Sequence, residues 1–237
     1  MIKLSKRLSS VAKLVSGQVR LADVGTDHGY IPIYLTQTGV ITHGIAMDVN
    51  QGPLIRATEH IKEQNLEAYI DTRRSDGLMA LSPGEVDSVV IAGMGGNLMI
   101  RILKDGSAVA DTLSELILQP QSEVEEVRRF LIQSGWRIVD EDMVEEDGKY
   151  YFLMKAVLSA SVEMNAHMAT EADYRYGALL IARKHPVLLE YLYREERLCE
   201  QIYRSLEKQE MTCAIGQRKT ELVERLTVIQ QALRGME

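Results

Sequence analysis

Residues 21–32, LADVGTDHGYIP, constrain the fold of this chain more than any other stretch. Leu21, Ala22 and Val24 read as a short buried strand with an acid, Asp23, inside it. A turn built on Gly25 and Gly29 follows, and Ile31, Ile33, Tyr34 and Leu35 carry the chain into a helix. A strand that passes through a glycine turn into a helix N-terminus is how open α/β sheets bind nucleotide-like ligands. Glycine lets the backbone approach the ligand, and the helix start offers free N–H groups. A dinucleotide fingerprint needs G-x-G-x-x-G, its middle glycine making room for a pyrophosphate. Here Asp27 stands between Gly25 and Gly29. A carboxylate at that place repels a pyrophosphate and suits a ligand with an amino group and a sulfonium, as S-adenosylmethionine has.

The remaining pattern places that turn in a sheet. Residues 3–15 carry Leu4, Leu8, Val11, Ala12 and Val15 at helical spacing, with Lys3, Lys6, Arg7 and Lys13 around them. Residues 40–48 read as a second strand ending on Asp48, the position at which doubly wound folds grip ribose hydroxyls. Val49 and Asn50 then open a helix over roughly 52–65. A third strand, 69–73, delivers Ser75, Asp76 and Gly77 at its end, where a carboxylate can accept a bond from an adenine amino group. Residues 86–92, VDSVVIA, have the unbroken apolar character of a parallel strand buried on both faces. They run into a turn, Gly93-Met94-Gly95-Gly96, and a helix over 97–103. Another strand, 115–118, ends in Gln119-Pro120-Gln121, and Ser122 is expected to cap a helix over 123–134 that Gly135 stops. Residues 136–143 and 150–158 close the domain as an antiparallel pair around a turn at 145–149. The expected fold is α/β and Rossmann-like, a seven-strand mixed sheet. Most adenosylmethionine-dependent methyltransferases share that architecture.

Past residue 158 the periodicity changes. Leu188, Leu192, Glu195, Cys199, Ile202 and Leu206 step by four and three, as do Ile215, Lys219, Leu222, Leu226, Ile229 and Leu233. An average spacing of about 3.5, interrupted near 211–216, predicts an antiparallel helical hairpin resembling a coiled coil. The chain is therefore divided into a ligand-binding domain, 1–158, with a basic N-terminal helix at 1–20, and a helical hairpin domain, 159–237. Tyr174, Tyr176, Tyr191, Tyr193 and Tyr203 supply packing residues there, or surfaces on which unpaired bases stack.

Charge and composition narrow the partners. The formal net charge is −7, yet the first 20 residues hold Lys3, Lys6, Arg7, Lys13 and Arg20 and no acid. Basic residues gathered on one face bind a polyanion whatever the overall sign, although an amphipathic helix also wets its outer face with Lys and Arg. No apolar run approaches the ~18–20 residues of a membrane helix, and the N-terminus lacks a signal-peptide core. Cys199 and Cys213 have neither the spacing nor the neighbours of a metal site, so no metal is expected and a cytoplasmic setting with reduced thiols is.

ADVGTDHGYIP, the acid in AMDVN, RRSDGL, IAGMGG, LILQPQ and YGALLIARKHPVLLEYL, followed by the helical hairpin, together resemble one family. It is the bacterial tRNA (adenine-N1)-methyltransferases of the TrmK family, which act on adenine at position 22 of tRNA. The resemblance covers essentially the whole chain, including the hairpin that generic methyltransferases lack. IAGMGG is its discriminating piece, standing where amino-group methyltransferases usually carry a D/N-P-P-Y/F tetrapeptide.

The resemblance implies S-adenosyl-L-methionine as cofactor, tRNA as partner, no membrane, and a monomer or weak dimer. It also implies transfer of methyl to adenine N1. That nitrogen owns a lone pair and loses no proton when attacked, while the product ring becomes cationic, so a nearby carboxylate stabilises the developing charge. Asp27 is the preferred catalytic candidate and His28 the second. The alternative for Asp27 is contact with the cofactor's amino group alone, or a helix cap. Cofactor contacts are expected from Asp23, Gly25, Asp27, Gly29, Asp48, Val49, Asp76, Gly77, Gly93, Met94 and Gly95. Asp48 takes the ribose diol, Val49 packs on the adenine, and Asp76 and Gly77 meet its edge. Lys6 and Arg7, with the hairpin, are the expected tRNA-holding surfaces. The alternative reading is a methyltransferase for a small molecule or protein, which the acidic catalytic half fits.

Overall fold

A computed structural model describes residues 1–158, 170–209 and 212–237. It divides into two compact units, Met1–Asn165 and Ala166–Glu237. The sequence boundary at 158/159 adjoins residues 159–169, which lie outside the described residues.

The first unit is a seven-stranded sheet in the order β3-β2-β1-β4-β5-β7-β6. Its strands are β1 (Val19–Val24), β2 (Ile41–Asp48), β3 (Ile70–Arg74), β4 (Ser88–Gly95), β5 (Glu115–Ser122), β6 (Trp136–Glu146) and β7 (Lys149–Leu158). The first five pair in parallel and the last two join antiparallel, as the alternation predicted. The helices are α1 (Lys6–Leu14), α2 (Tyr30–Gln37), α3 (Gln51–Glu63), α4 (Gly96–Asp105), α5 (Ser107–Ala110) and α6 (Val124–Gln133). Winding runs outward from β1 through β2 to β3 and then restarts at β4 on the other side of β1. In open α/β sheets such a reversal leaves a crevice beyond the carboxyl ends of the strands, and ligands bind there.

The core explains these placements. Leu21, Val89, Val90, Ile91, Leu116, Ile117 and Leu118 are fully buried, which is what central parallel strands covered on both faces require. Ser5 caps α1, its hydroxyl accepting from Leu8 N–H at 3.3 Å, and Val11, Ala12, Leu14 and Val15 pack into the cluster that holds Leu21, Val90 and Ile117. The basic N-terminal helix is thus bolted to the sheet by its apolar stripe.

Three local expectations are corrected. Ser122 does not cap the helix after β5: the strand continues through Ser122 in register with Gly95, and Glu123, at φ 47°, turns the chain into α6. The strand pairing wins because Gly96 has no side chain; a Cβ there would lie 2.6 Å from the Ser122 carbonyl. For the same reason Gly93–Gly96 is no loop, since β4 runs to Gly95 and α4 starts at Gly96. The closing hairpin is also tighter than expected, turning on Asp147 (φ 53°) and Gly148 (φ 74°), the two left-handed residues of a type I′ turn.

The second unit contains a π-helical turn, Asp173–Gly177, then α7 (Ala178–Ala182), α8 (Pro186–Glu207) and α9 (Cys213–Gly235). Leu188, Leu192, Glu195 and Cys199 of α8 are buried, as are Leu222, Ile229 and Ala232 of α9. Glu195 is ion-paired with Arg225 across the hairpin. The short helices at its base lie beneath the reach of a heptad pattern. The interruption expected near 211–216 lies earlier: α8 ends at Glu207 and α9 already starts at Cys213, capped by the Thr212 hydroxyl accepting from Ile215 N–H, while residues 210–211 are outside the described residues.

Candidate active site

The turn after β1 is fixed by its own hydrogen bonds. Gly25 and Thr26 donate backbone N–H groups to the Met47 carbonyl at 2.8 and 2.9 Å, tying the turn to the end of β2. The Thr26 hydroxyl accepts from Gly29 N–H at 3.1 Å and hydrogen-bonds to the Asp23 carboxyl. Gly25 and Gly29 have φ of 79° and 69°, a region that costs any residue with a Cβ. Both glycines are therefore backbone requirements of the turn, whatever ligand it serves.

Asp23 is buried, and burial pushes its carboxyl up to about 6, against the bond from Thr26 and with help from the charge on Asp48. Asp27, two positions past Gly25, is largely exposed. Its carboxylate pairs with the Arg56 guanidinium of α3 and lies 3.2 Å from His28 Nε2. The hydrogen bond from Arg56, more than the charge on His28, holds it below the usual carboxylate range. His28 Nδ1 is buried without a hydrogen-bond partner among the described residues. The rings of His28, Tyr30 and His60 stack on one another at 5.0–5.3 Å between centroids, and His60 Nδ1 meets the His28 carbonyl at 3.1 Å.

A cavity of about 230 Å³ opens at this turn, walled by Arg7, Asp23, Gly25, Asp27, His28 and Ala92 among others. Four of the expected site residues in the turn thus share one cavity with Arg7. Met94 belongs to the same place: a Cβ on Gly25 would lie 1.9 Å from Met94 Cε, so the two strand ends touch through glycine. On the other side of the turn, Asp48 closes β2. One of its oxygens accepts from Asn50 N–H at 2.7 Å, and the other has no hydrogen bond among the described residues. Val49, half-exposed, accepts from Arg74 Nε at 3.0 Å through its carbonyl. The buried Ser75 hydroxyl donates to the Gly77 carbonyl and accepts from Ala80 N–H, shaping the loop that presents Asp76. Gly77 is needed because a Cβ would meet Ile102 at 2.8 Å.

The two basic residues separate. Arg7 turns inward, its Nη1 donating to Gln119 Oε1 at 2.7 Å and its guanidinium lying 5.5 Å from the Tyr151 ring centre. Lys6 stays outside the cavity, its Nζ bonded to the Glu145 carbonyl at 2.9 Å. Arg56 and Gln119 were not among the expected site residues. An Arg on a following helix has no motif, and only the approach of α3 to the turn reveals it. Among the described residues no group of His, Cys, Asp and Glu has the arrangement of a metal site.

Residues 4–154 match a methyltransferase domain family. The tRNA (adenine(22)-N(1))-methyltransferase of Bacillus subtilis is 30% identical over 98% of this chain and 98% of its own length. Its crystal structure, that of the B. subtilis M1A22 tRNA methyltransferase TrmK, superposes with a TM-score of 0.86 over 100% of both chains. Streptococcus pneumoniae Sp1610 in complex with S-adenosyl-L-methionine is 31% identical with a TM-score of 0.84, over 98% of this chain and 100% of that one. Both likenesses extend over the C-terminal helices as well as the sheet, since they cover 98–100% of this chain. The chain belongs to the TrmK family of tRNA (adenine(22)-N1)-methyltransferases.

Proposed function

We propose that this protein transfers a methyl group from S-adenosyl-L-methionine to N1 of adenine 22 in tRNA. The observation that carries the reading is the pair of acids, Asp23 and Asp27, around a glycine turn that opens onto the cavity. The residues present fit the cofactor: the Asp48 oxygen left without a partner suits a ribose hydroxyl, and Gly25 lines the cavity beside Asp23 and Asp27. When bound, S-adenosyl-L-methionine supplies an electrophilic methyl group on a sulfonium. Asp23, Gly25, Gly29, Asp48, Val49, Asp76, Gly77, Gly93, Met94 and Gly95 hold it in this reading.

Adenine N1 attacks with its own lone pair, so no base has to remove a proton, and His28 is assigned no proton transfer. Asp27 is ionised at neutral pH, its pKa lowered further by the bond from Arg56, and stabilises the positive charge that grows on the ring. His28 contacts Asp27 and orients it. Lys6, Arg7 and the helical domain, 159–237, hold the tRNA, and the domain 1–158 carries the chemistry. The protein acts in the cytoplasm, where tRNA is met, as a monomer or weak dimer. No helix among the described residues is long and apolar enough to cross a membrane.

The test is methyl transfer from labelled S-adenosyl-L-methionine to unmodified tRNA transcripts, followed by digestion to nucleosides. 1-Methyladenosine at position 22 alone is the expected product. Cofactor binding without methylation of any tRNA would overturn the reading and move a small molecule or protein into the substrate's place.

A further inference from the structure

Gly93 in β4 and Gln121 in β5 are both passed over in the pairing of these two strands. Ala92 pairs with Gln119, Met94 with Pro120 and Gly95 with Ser122, so each strand carries one extra residue at its carboxyl end. Paired bulges of this kind re-aim side chains and are enriched beside active sites. Here they bring two side-chain nitrogens onto one glycine: a Cβ on Gly93 would lie 3.6 Å from Arg7 Nη1 and 3.7 Å from Gln121 Nε2.

The three amide and guanidinium groups at this spot are not equivalent. Gln119 is fully buried, its Oε1 taken by Arg7 and its Nε2 by the Pro120 carbonyl. Gln121, two residues on, is exposed, and its amide makes no side-chain hydrogen bond among the described residues. An exposed amide with nothing to hold it normally faces away into solvent, whereas this one lies against the bare backbone of Gly93. That glycine adjoins Ala92, which lines the cavity together with Arg7 and Gly25.

Sheet order then divides the site. The acids of β2 and β3, which suit the nucleoside end of the cofactor, lie on one side of the Gly25 turn. Gly93 and Gln121, at the ends of β4 and β5, lie on the other, where nothing proposed for the cofactor's nucleoside end is located. Resting on the function proposed above, we infer that Gln121 reads the target base. An adenine presenting N1 to the methyl donor has its N6 amino group and N7 still to be recognised. A glutamine amide matches that edge with two bonds, its carbonyl oxygen accepting from N6–H and its NH2 donating to N7. Guanine offers O6 in place of the amino group, which sets two acceptors against each other, so the same amide rejects it. Gly93 provides the flat floor, and the Arg7 guanidinium, held by Gln119, is placed for the nucleotide's phosphate.

The test pairs one atom of the base with one side chain. Wild type and Gln121→Ala are each assayed on tRNA transcripts carrying adenosine or 7-deazaadenosine at the target position. Melting temperature and cofactor affinity are measured beside kcat/KM and tRNA Kd. Wild type loses roughly tenfold in kcat/KM when N7 is removed. Gln121→Ala loses at least that much on adenosine, about 10- to 150-fold for a bidentate pair, and nothing further on 7-deazaadenosine. Any effect of the deaza ring on N1 reactivity is common to both proteins and cancels in the ratio. Melting temperature and cofactor affinity stay at the wild-type values. An equal penalty for 7-deazaadenosine in both proteins, or an unchanged kcat/KM for Gln121→Ala, overturns the assignment while leaving the function standing. Failure of wild type to methylate any transcript overturns both.

Discussion

The Asp27 carboxylate, in the turn after β1, is ion-paired with the Arg56 guanidinium on α3. A charge that the sequence places beside the cofactor turn is thereby oriented by a helix one strand later. Asp27→Ala is expected to lower kcat about 100-fold, the scale of one group stabilising developing charge, with cofactor affinity changed far less. Single-turnover rates and cofactor titration separate the two, and a cofactor-affinity loss equal to the rate loss would assign Asp27 to binding alone. Arg56→Ala lowers kcat less, because the carboxylate remains.

The same pair sets a pH dependence of small size. Asp27 has a folded pKa below its ordinary 3.8, so its contribution to stability is present above that value and disappears as pH falls through the folded pKa. The pair is largely exposed, and solvent screening limits it to about 0–1 kcal/mol. Thermal melting of Arg56→Ala at pH 7 should therefore drop by no more than about 4 °C.

Asp23 has the opposite sign. Its folded carboxyl is pushed up to about 6, above the ordinary 3.8, so the folded state binds the proton more tightly than the unfolded chain. Stability from this group is full below pH 3.8 and is lost as pH rises through about 6. Asp23→Asn keeps an acceptor for Thr26 and removes the charge. The variant should melt higher than wild type at pH 7.5, with a flatter profile between pH 4 and 6, and bind cofactor more weakly. A lower melting temperature at pH 7.5 would contradict this account of the buried acid.

Asp48→Ala removes a carboxylate oxygen left for a ligand. Calorimetric titration should show S-adenosyl-L-methionine binding weakened about 10- to 150-fold, the range of charge-assisted hydrogen bonds. Intrinsic stability should change little, since only the bond from Asn50 N–H is lost within the protein.

Gly25→Ala meets two obstacles. A φ of 79° costs a residue with a Cβ about 1–2 kcal/mol, and that Cβ would lie 1.9 Å from Met94 Cε. Met94 is flexible and can swing away, so the fold survives with a melting temperature lower by roughly 2–8 °C. Cofactor affinity should fall as well, because the displaced Met94 side chain is itself one of the proposed cofactor contacts.

Lys6→Ala should weaken tRNA binding without altering cofactor affinity. The logarithmic salt dependence of tRNA binding should flatten by about 0.7–0.9 for one phosphate contact. An unchanged slope would make Lys6 a clamp on the Glu145 carbonyl and nothing more.

The sequence by itself determined the elements and the turn. Buried parallel strands announce themselves as unbroken apolar runs such as VVIA at 89–92, and Gly25 and Gly29 mark a left-handed backbone that few other residues adopt. The placement of Asp48 and Asp76 at or just past strand ends was legible because a strand's end is a fixed place in this kind of sheet. The tertiary structure alone decided what crosses between elements: Arg56 on Asp27, Arg7 on Gln119, and the bulges that set Gln121 against Gly93. It also overruled the expected cap at Ser122, because the pairing of β5 with β4 depends on Gly96, 26 positions earlier in the chain. Local patterns record a residue's own neighbours along the backbone. The partners that orient a site come from packing across the sheet, which no spacing encodes.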